Sequence, residues 1–125
     1  PMIAYQMVGT NDLDRAKAFY DEIMAMLGVT EPRPTPKGVM YPFAQGPGFA
    51  VTKTHNGEPA TFGNGAMTAF ACGSPQQVAE VHARALALGA VDEGAPGDRG
   101  GFGCFAYFRD LDGNKLALAC FNPGR

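Results

Sequence analysis

Few residues in this chain could do chemistry, and they are scattered. Two histidines, His55 and His82, and three cysteines, Cys72, Cys104 and Cys120, are the whole supply of imidazole and thiol. Cys104 opens the apolar stretch "CFAYFR" just after a glycine-rich segment containing Arg99. A thiol near a guanidinium is a nucleophile only if its pKa is lowered; a free cysteine more often packs as a small buried hydrophobe. Cys72 and Cys120 lie within apolar runs and read as packing. "DRGGFG" (98–103) has the glycines of a phosphate cradle, but such cradles lead into a helix and this one leads into an apolar run. It reads as a lid, with Arg99 open either to solvent or to an anionic ligand group. His55 sits in a polar loop with no acidic residue placed to orient it as a base. Tyr5 and Tyr107 offer hydroxyls to a ligand, although a buried tyrosine needs a hydrogen-bond partner in any case.

The elements that must position these groups repeat. "MIAYQMVG" (2–9) reads as a strand. Leu13, Ala16, Tyr20, Ile23 and Leu27 then recur at spacings of 3, 4, 3 and 4, one stripe of an amphipathic helix. Thr10 or Asn11 is its expected N-cap, and Gly28 its C-terminal stop. Three prolines make 30–38 a loop. Strands follow at 39–44, restricted by Pro42, and at 49–54, and 55–65 is again a loop. The pattern restarts with a strand at 66–72. A helix follows, capped by Ser74 with Pro75 at its first position; it carries Val78, Val81, Ala85 and Leu88 and ends at Gly89. The segment 90–103 reads as a loop, 104–109 as a strand, 110–114 as a turn and 115–121 as the last strand. Asp110 and Asp112 read as solvent-facing turn residues, with Gly113 and Asn114 free to adopt positive φ. The order strand–helix–strand–strand therefore occurs twice, which predicts two copies of one supersecondary unit.

A chain of 125 residues, 46% hydrophobic, suits one domain with a real core. A formal net charge of −2 without basic runs gives no case for nucleic acid or an anionic membrane. No apolar stretch approaches the roughly 20 residues of a transmembrane helix. "PMIAYQMVG" shows neither a basic n-region nor a long apolar core, so no secretory leader is expected. The odd cysteine number without any CxxC pair points to a reducing, cytoplasmic setting.

Three motifs resemble the vicinal oxygen chelate superfamily, which includes glyoxalase I, the bleomycin-resistance proteins and the extradiol dioxygenases. They are "NDLDRAKAFYDEIMAMLG" (11–28), "FGNGAMTAFAC" (62–72) and "YFRDLDGNKLAL" (107–118). The resemblance implies an α+β fold of tandem βαβββ modules, forming a cupped mixed sheet with helices outside. It implies one domain over 1–125, with module one about 2–56 and module two about 64–122, and commonly a homodimer. Metal-dependent members hold a divalent ion with four side chains, typically His or Glu. The matching positions here are Tyr5, Thr52 (Val51 if the match shifts by one), Met67 and Ala117. A phenol, a hydroxyl, a thioether and a methyl cannot replace imidazole, thiolate or carboxylate, so no metal or other cofactor is expected.

By strand alternation Ile3, Tyr5 and Met7 share one face, as do Lys115, Ala117 and Ala119. Both sets would face into the cup that the resemblance implies, and its expected lining is Tyr5, Thr52, Met67, Tyr107 and Ala117, with Arg99, Phe102 and Cys104 as further candidates. An apolar lining with a few hydroxyls suits a hydrophobic or aromatic ligand. The expected function is metal-independent binding of such a small molecule, as in the antibiotic-sequestering branch. The alternatives are an enzyme of the superfamily (a lyase, isomerase or dioxygenase) with a displaced metal site, and a structural dimer whose cup is filled.

Overall fold

The computed structural model describes residues 2–122; residues 1 and 123–125 of the expected 1–125 domain lie outside the described residues. The chain divides into two compact units, Pro1–Gly63 and Asn64–Arg125. The first runs β1 (Tyr5–Gly9), α1 (Leu13–Met26), β2 (Arg33–Pro34), β3 (Gly38–Tyr41) and β4 (Gly48–Thr52). The second runs β5 (Thr68–Ala71), α2 (Pro75–Ala87), β6 (Val91–Asp98), β7 (Gly103–Arg109) and β8 (Lys115–Phe121). Each unit is βαβββ. The sheet orders correspond, β1-β4-β3-β2 and β5-β8-β7-β6. The first strand of each unit pairs parallel with the last, and the remaining pairs are antiparallel. The helix supplies the crossover that the parallel pair needs.

In the first unit the helix stripe buries Ala16, Phe19, Tyr20, Ile23 and Met24. They pack against Val39 and Tyr41 of β3 and Phe49 and Val51 of β4, all nearly inaccessible. The rings of Tyr20 and Phe49 lie 5.2 Å apart. The N-cap is Asp12, not Thr10 or Asn11: its side chain accepts from Arg15 N at 3.1 Å. Thr10 instead bonds the Asp12 backbone, and Asn11 clamps Ala60 through both its amide atoms. Both side chains are thus committed elsewhere, Thr10 to the cap residue's own backbone and Asn11 to a distant loop. Gly28 ends the helix at φ 95°, as expected.

The Tyr41 hydroxyl crosses from sheet to helix and donates to Asp21 Oδ1 at 2.7 Å. Burial, and then the Asp21 carboxylate, push its pKa well above the ordinary phenol range. A raised pKa means that the fold holds the protonated form, so this stabilisation is complete below about pH 10 and is lost as pH rises further. Tyr41→Phe is expected to cost about 1.5 kcal/mol at neutral pH, the worth of one hydrogen bond to a charged group. The wild-type advantage over the variant should shrink above about pH 10, which urea unfolding across pH 8–11 would measure.

In the second unit α2 starts as expected, with Ser74 accepting from Gln77 N at 3.1 Å and Pro75 in the first turn. Its buried residues Val78, Val81, His82 and Ala85 cover Phe70, Ala106, Phe108, Leu116 and Leu118. His82, on the buried face of α2, is a core tie. Its Nε2 lies 3.1 Å from Asp92 Oδ1 and 3.2 Å from the Tyr107 carbonyl. A carbonyl only accepts, so Nε2 carries the hydrogen and joins α2 to β6 and β7.

The structure corrects four further expectations. The loop expected at 90–103 contains the eight-residue strand β6, and the loop at 30–38 contains β2. Both are edge strands, held by backbone pairing and largely exposed, so they need no apolar alternation. Asp110 does not face solvent. It is 4% exposed, and its carboxylate accepts from Asp112 N, Asn114 N and Asn114 Nδ2. Asn114 does not take positive φ; only Gly113 does, at 86°. Among the described residues no helix is long and apolar enough to cross a membrane.

Candidate functional site

Each sheet has one face against its helix and one far face. In the first unit the residues alternating with Phe49 and Val51 project to the far face: Thr52 and Ala50 of β4, Met40 of β3, and Tyr5 and Met7 of β1. This separates the two candidates for one expected position. Val51 belongs to the core under α1, and Thr52 shares a face with Tyr5. Tyr5 and Met7 are about half exposed. The Thr52 hydroxyl donates to the Lys53 carbonyl at 2.9 Å. Met7, Thr52, Lys37, Lys53 and His55 line an open cleft of about 470 Å³.

In the second unit Tyr107 of β7 and Ala117 of β8 are direct cross-strand partners on the far face, and Ala69 of β5 pairs with Ala117 from the other side. Ala117 is buried. Met67, one residue before β5, continues the Ala69 face and is half exposed. Phe105 and Phe121 stack edge to face on the same surface, 5.2 Å apart. Phe102 is exposed in the turn before β7. Cys104 does not join this group. It alternates with Tyr107 and faces the α2 side, directly opposite Cys120 and in line with Cys72, and all three are free thiols. Burial pushes the Cys72 thiol up to about 11, so it stays protonated at neutral pH.

Two cations attend the Tyr107 ring. The Arg99 guanidinium carbon lies 5.7 Å from the ring centroid and Lys115 Nζ 5.6 Å. Arg99 bends back over β6, donating to the carbonyls of Ala95 at 2.7 Å and Asp98 at 3.3 Å. Arg109, on the same face, is paired with Glu93 at 2.6 Å. Lys115 is the residue that the expected lining lacked, although it stands two positions from Ala117 on the same face.

A sequence model of the Glyoxalase/Bleomycin resistance protein/Dioxygenase superfamily matches residues 2–118. The chain belongs to this superfamily. A glyoxalase/bleomycin resistance protein from Albidiferax ferrireducens T118 is 36% identical, with a TM-score of 0.91 over 98% of this chain and 100% of that one. A glyoxalase-related enzyme from Fulvimarina pelagi is 24% identical, with a TM-score of 0.76 over 97% of this chain and 88% of its own. A genomically encoded fosfomycin resistance protein from Listeria monocytogenes is 21% identical, with a TM-score of 0.69 over 97% and 93%. At those identities the last two share the fold alone. No curated protein matches the chain.

The metal of the superfamily's metal-dependent members does not fit the residues present. Tyr5, Thr52, Met67 and Ala117 offer a neutral phenol, a hydroxyl already donating to a carbonyl, a thioether and a methyl. Zinc requires nitrogen, sulfur or carboxylate donors, and magnesium requires oxygen, mainly carboxylate. The charges nearest Ala117 on its sheet face are cationic, which opposes a divalent ion further. Among the described residues no group of three or more His, Cys, Asp or Glu is placed to hold a metal.

Proposed function

We propose that this superfamily member binds a small apolar or aromatic molecule against the far face of a sheet, without a metal. The observation that carries the reading is the donor set just described: four ligand positions filled by groups that cannot hold a divalent ion. Those same groups suit an organic ligand. Tyr5 and Met7 in the first unit, and Met67 and Phe121 in the second, present partly exposed apolar surface, and Tyr107 adds an aromatic ring to the second sheet. Half-exposed apolar side chains of this size bind through area removed from water, about 25 cal/mol per Å².

Thermal shift against a library of hydrophobic and aromatic compounds tests the reading. A ligand at 100 times its Kd should add about 2.7 kcal/mol, a rise of several degrees in the midpoint. Silence across the library would overturn it. The metal side has its own test: EDTA dialysis is expected to move the midpoint by less than about 1 °C, and elemental analysis to find no stoichiometric Zn, Ni, Mn or Fe. A stoichiometric metal would favour an enzyme with a displaced site. The reading includes a homodimer, which light scattering on the purified protein checks.

A further inference from the structure

We infer that the far face of the second sheet takes the oxyanion of its ligand, a carboxylate or a phosphate-type group, between Arg99 and Lys115 beside the Tyr107 ring. This deepens the ligand-binding reading and rests on it. It changes the ligand from a plain hydrophobe to an amphiphile, with an apolar body and an anionic head.

Three observations carry it. First, both cations are half-buried against one ring, and neither forms an ion pair with a described residue. Arg109 on the same face has its carboxylate in Glu93. Asp98 spends one oxygen on Gly101 N at 3.2 Å. Two like charges sharing a ring repel, and the quadrupole of a phenol relieves only part of that. A bridging oxyanion would relieve the rest.

Second, Arg99 is built into its place. A Cβ on Gly97 would stand 3.0 Å from Arg99 Nη1, and one on Gly94 would stand 3.4 Å from Nη2 and 2.8 Å from Tyr107 Cδ2. The strand irregularities of β6 fall at these two glycines. They leave a berth in which the guanidinium lies over Tyr107 with two of its five N–H groups donated to backbone carbonyls. An arginine that serves only solubility needs no such berth. The three remaining donors keep the fork geometry that matches an oxyanion.

Third, the cations border an apolar floor. Its accessible surface is the half-buried Tyr107 and Phe105 and the exposed Phe121; Ala117 and Ala119, the cross-strand partners of Tyr107 and Phe105, are themselves buried. A ligand whose apolar part rests on this floor would hold its anionic end at the Arg99–Lys115 edge.

The test compares 2-naphthoate, 2-naphthylphosphonate and the neutral 2-naphthamide by isothermal titration. At low salt at least one anion should bind at least about tenfold tighter than the amide, the worth of a charge-assisted hydrogen bond. Raising NaCl to about 0.5 M should erode that advantage without weakening the amide. In the Arg99→Gln/Lys115→Gln variant the ratio of anion to amide affinity should fall to within about twofold, with the fold verified by circular dichroism. Lys115→Gln alone, which leaves the Arg99 berth intact, should lose part of it. Comparing the two anions shows which head group the site prefers. Amide binding without any anion preference, or a preference that survives in the double variant, overturns this inference alone. Failure of all three probes overturns the ligand-binding reading and this inference with it.

Discussion

Gly38→Ala and Gly103→Ala should each lower the thermal midpoint by about 12 °C, the largest loss expected from a single methyl, corresponding to about 3 kcal/mol for a chain of this size. Gly38 opens β3 opposite Thr52, and Gly103 opens β7 opposite Phe121. A Cβ on Gly38 would overlap the Val51 carbonyl oxygen and stand 2.8 Å from Thr52 Cα. A Cβ on Gly103 would overlap the Cys120 carbonyl oxygen and stand 2.8 Å from Phe121 Cα. In both cases the obstacle is backbone, which cannot swing aside as a side chain can, so the strand pair itself must part. Gly73→Ala is the control. Its nearest contact would be Gln77 Oε1 at 3.7 Å, ordinary van der Waals distance, and it should change stability by no more than about 0.5 kcal/mol. Equal, small shifts in all three variants would show that the strand ends open freely and that the close approach does not matter. The two positions are equivalent in the two units, so they also measure whether the units carry comparable stability.

The parts of this fold that were legible in the sequence are those whose side chains repeat. The stripe from Leu13 to Leu27 and the Ser74–Pro75 start each announce a helix, because a buried face and a cap impose residue types at fixed spacing. The strands at the sheet centres were legible as apolar runs. β6 was not, because "VDEGAPGD" sits at an edge and is mostly exposed. Its place is fixed by backbone bonds to β7, which any residue but proline can make, and Pro96 is tolerated because one side of an edge strand needs no donor. β2 is two residues long and includes a proline, below what any periodicity can signal.

The site was legible unevenly. Tyr5, Met67 and Ala117 are candidates because motif spacing, not propensity, located them. Choosing between Val51 and Thr52 needed the register of β4 against β1 and β3, a pairing across some forty residues of chain for which the strand's own pattern is no guide. Cys104, a further candidate for the lining that reads more readily as a packed hydrophobe, faces the helix. The stretch "CFAYF" carries aromatic residues on both faces, so alternation identifies a strand without saying which side is covered. The Arg99 berth depends on Gly94 and Gly97 inside a bulged strand that read as a loop. With that strand unseen, the pairing of Arg99 with Tyr107 and Lys115 was unseen as well.

Asp110→Ala is expected to cost about 3 kcal/mol, although its turn reads as ordinary surface chemistry. Oδ1 of Asp110 accepts from Asp112 N and Asn114 N, both at 2.9 Å, and Oδ2 accepts from Asn114 Nδ2 at 2.9 Å. The backbone closes the same loop, with Asp110 N donating to the Asn114 carbonyl and Gly113 N to the Asp110 carbonyl. Asp110 and Asn114 are both about 95% covered. Water therefore cannot replace the carboxylate without a cavity, and alanine would strand donors that each cost about 1–3 kcal/mol when left unmet. Asp110→Asn keeps one carbonyl oxygen for the backbone donors but turns an NH₂ group toward the Asn114 amide, so it should lose roughly half as much. Asp112→Ala, which leaves the three acceptor contacts of Asp110 in place, should cost clearly less than Asp110→Ala. Urea unfolding of the three variants orders them, and an alanine cost at Asp110 no greater than that at Asp112 would refute the burial argument. The proposed ligand face supplies a second readout. The turn delivers the chain into β8 at Lys115, with Ala117 two residues on, so loosening it should weaken binding of an anionic probe more than of its neutral counterpart even at temperatures where the variant remains folded.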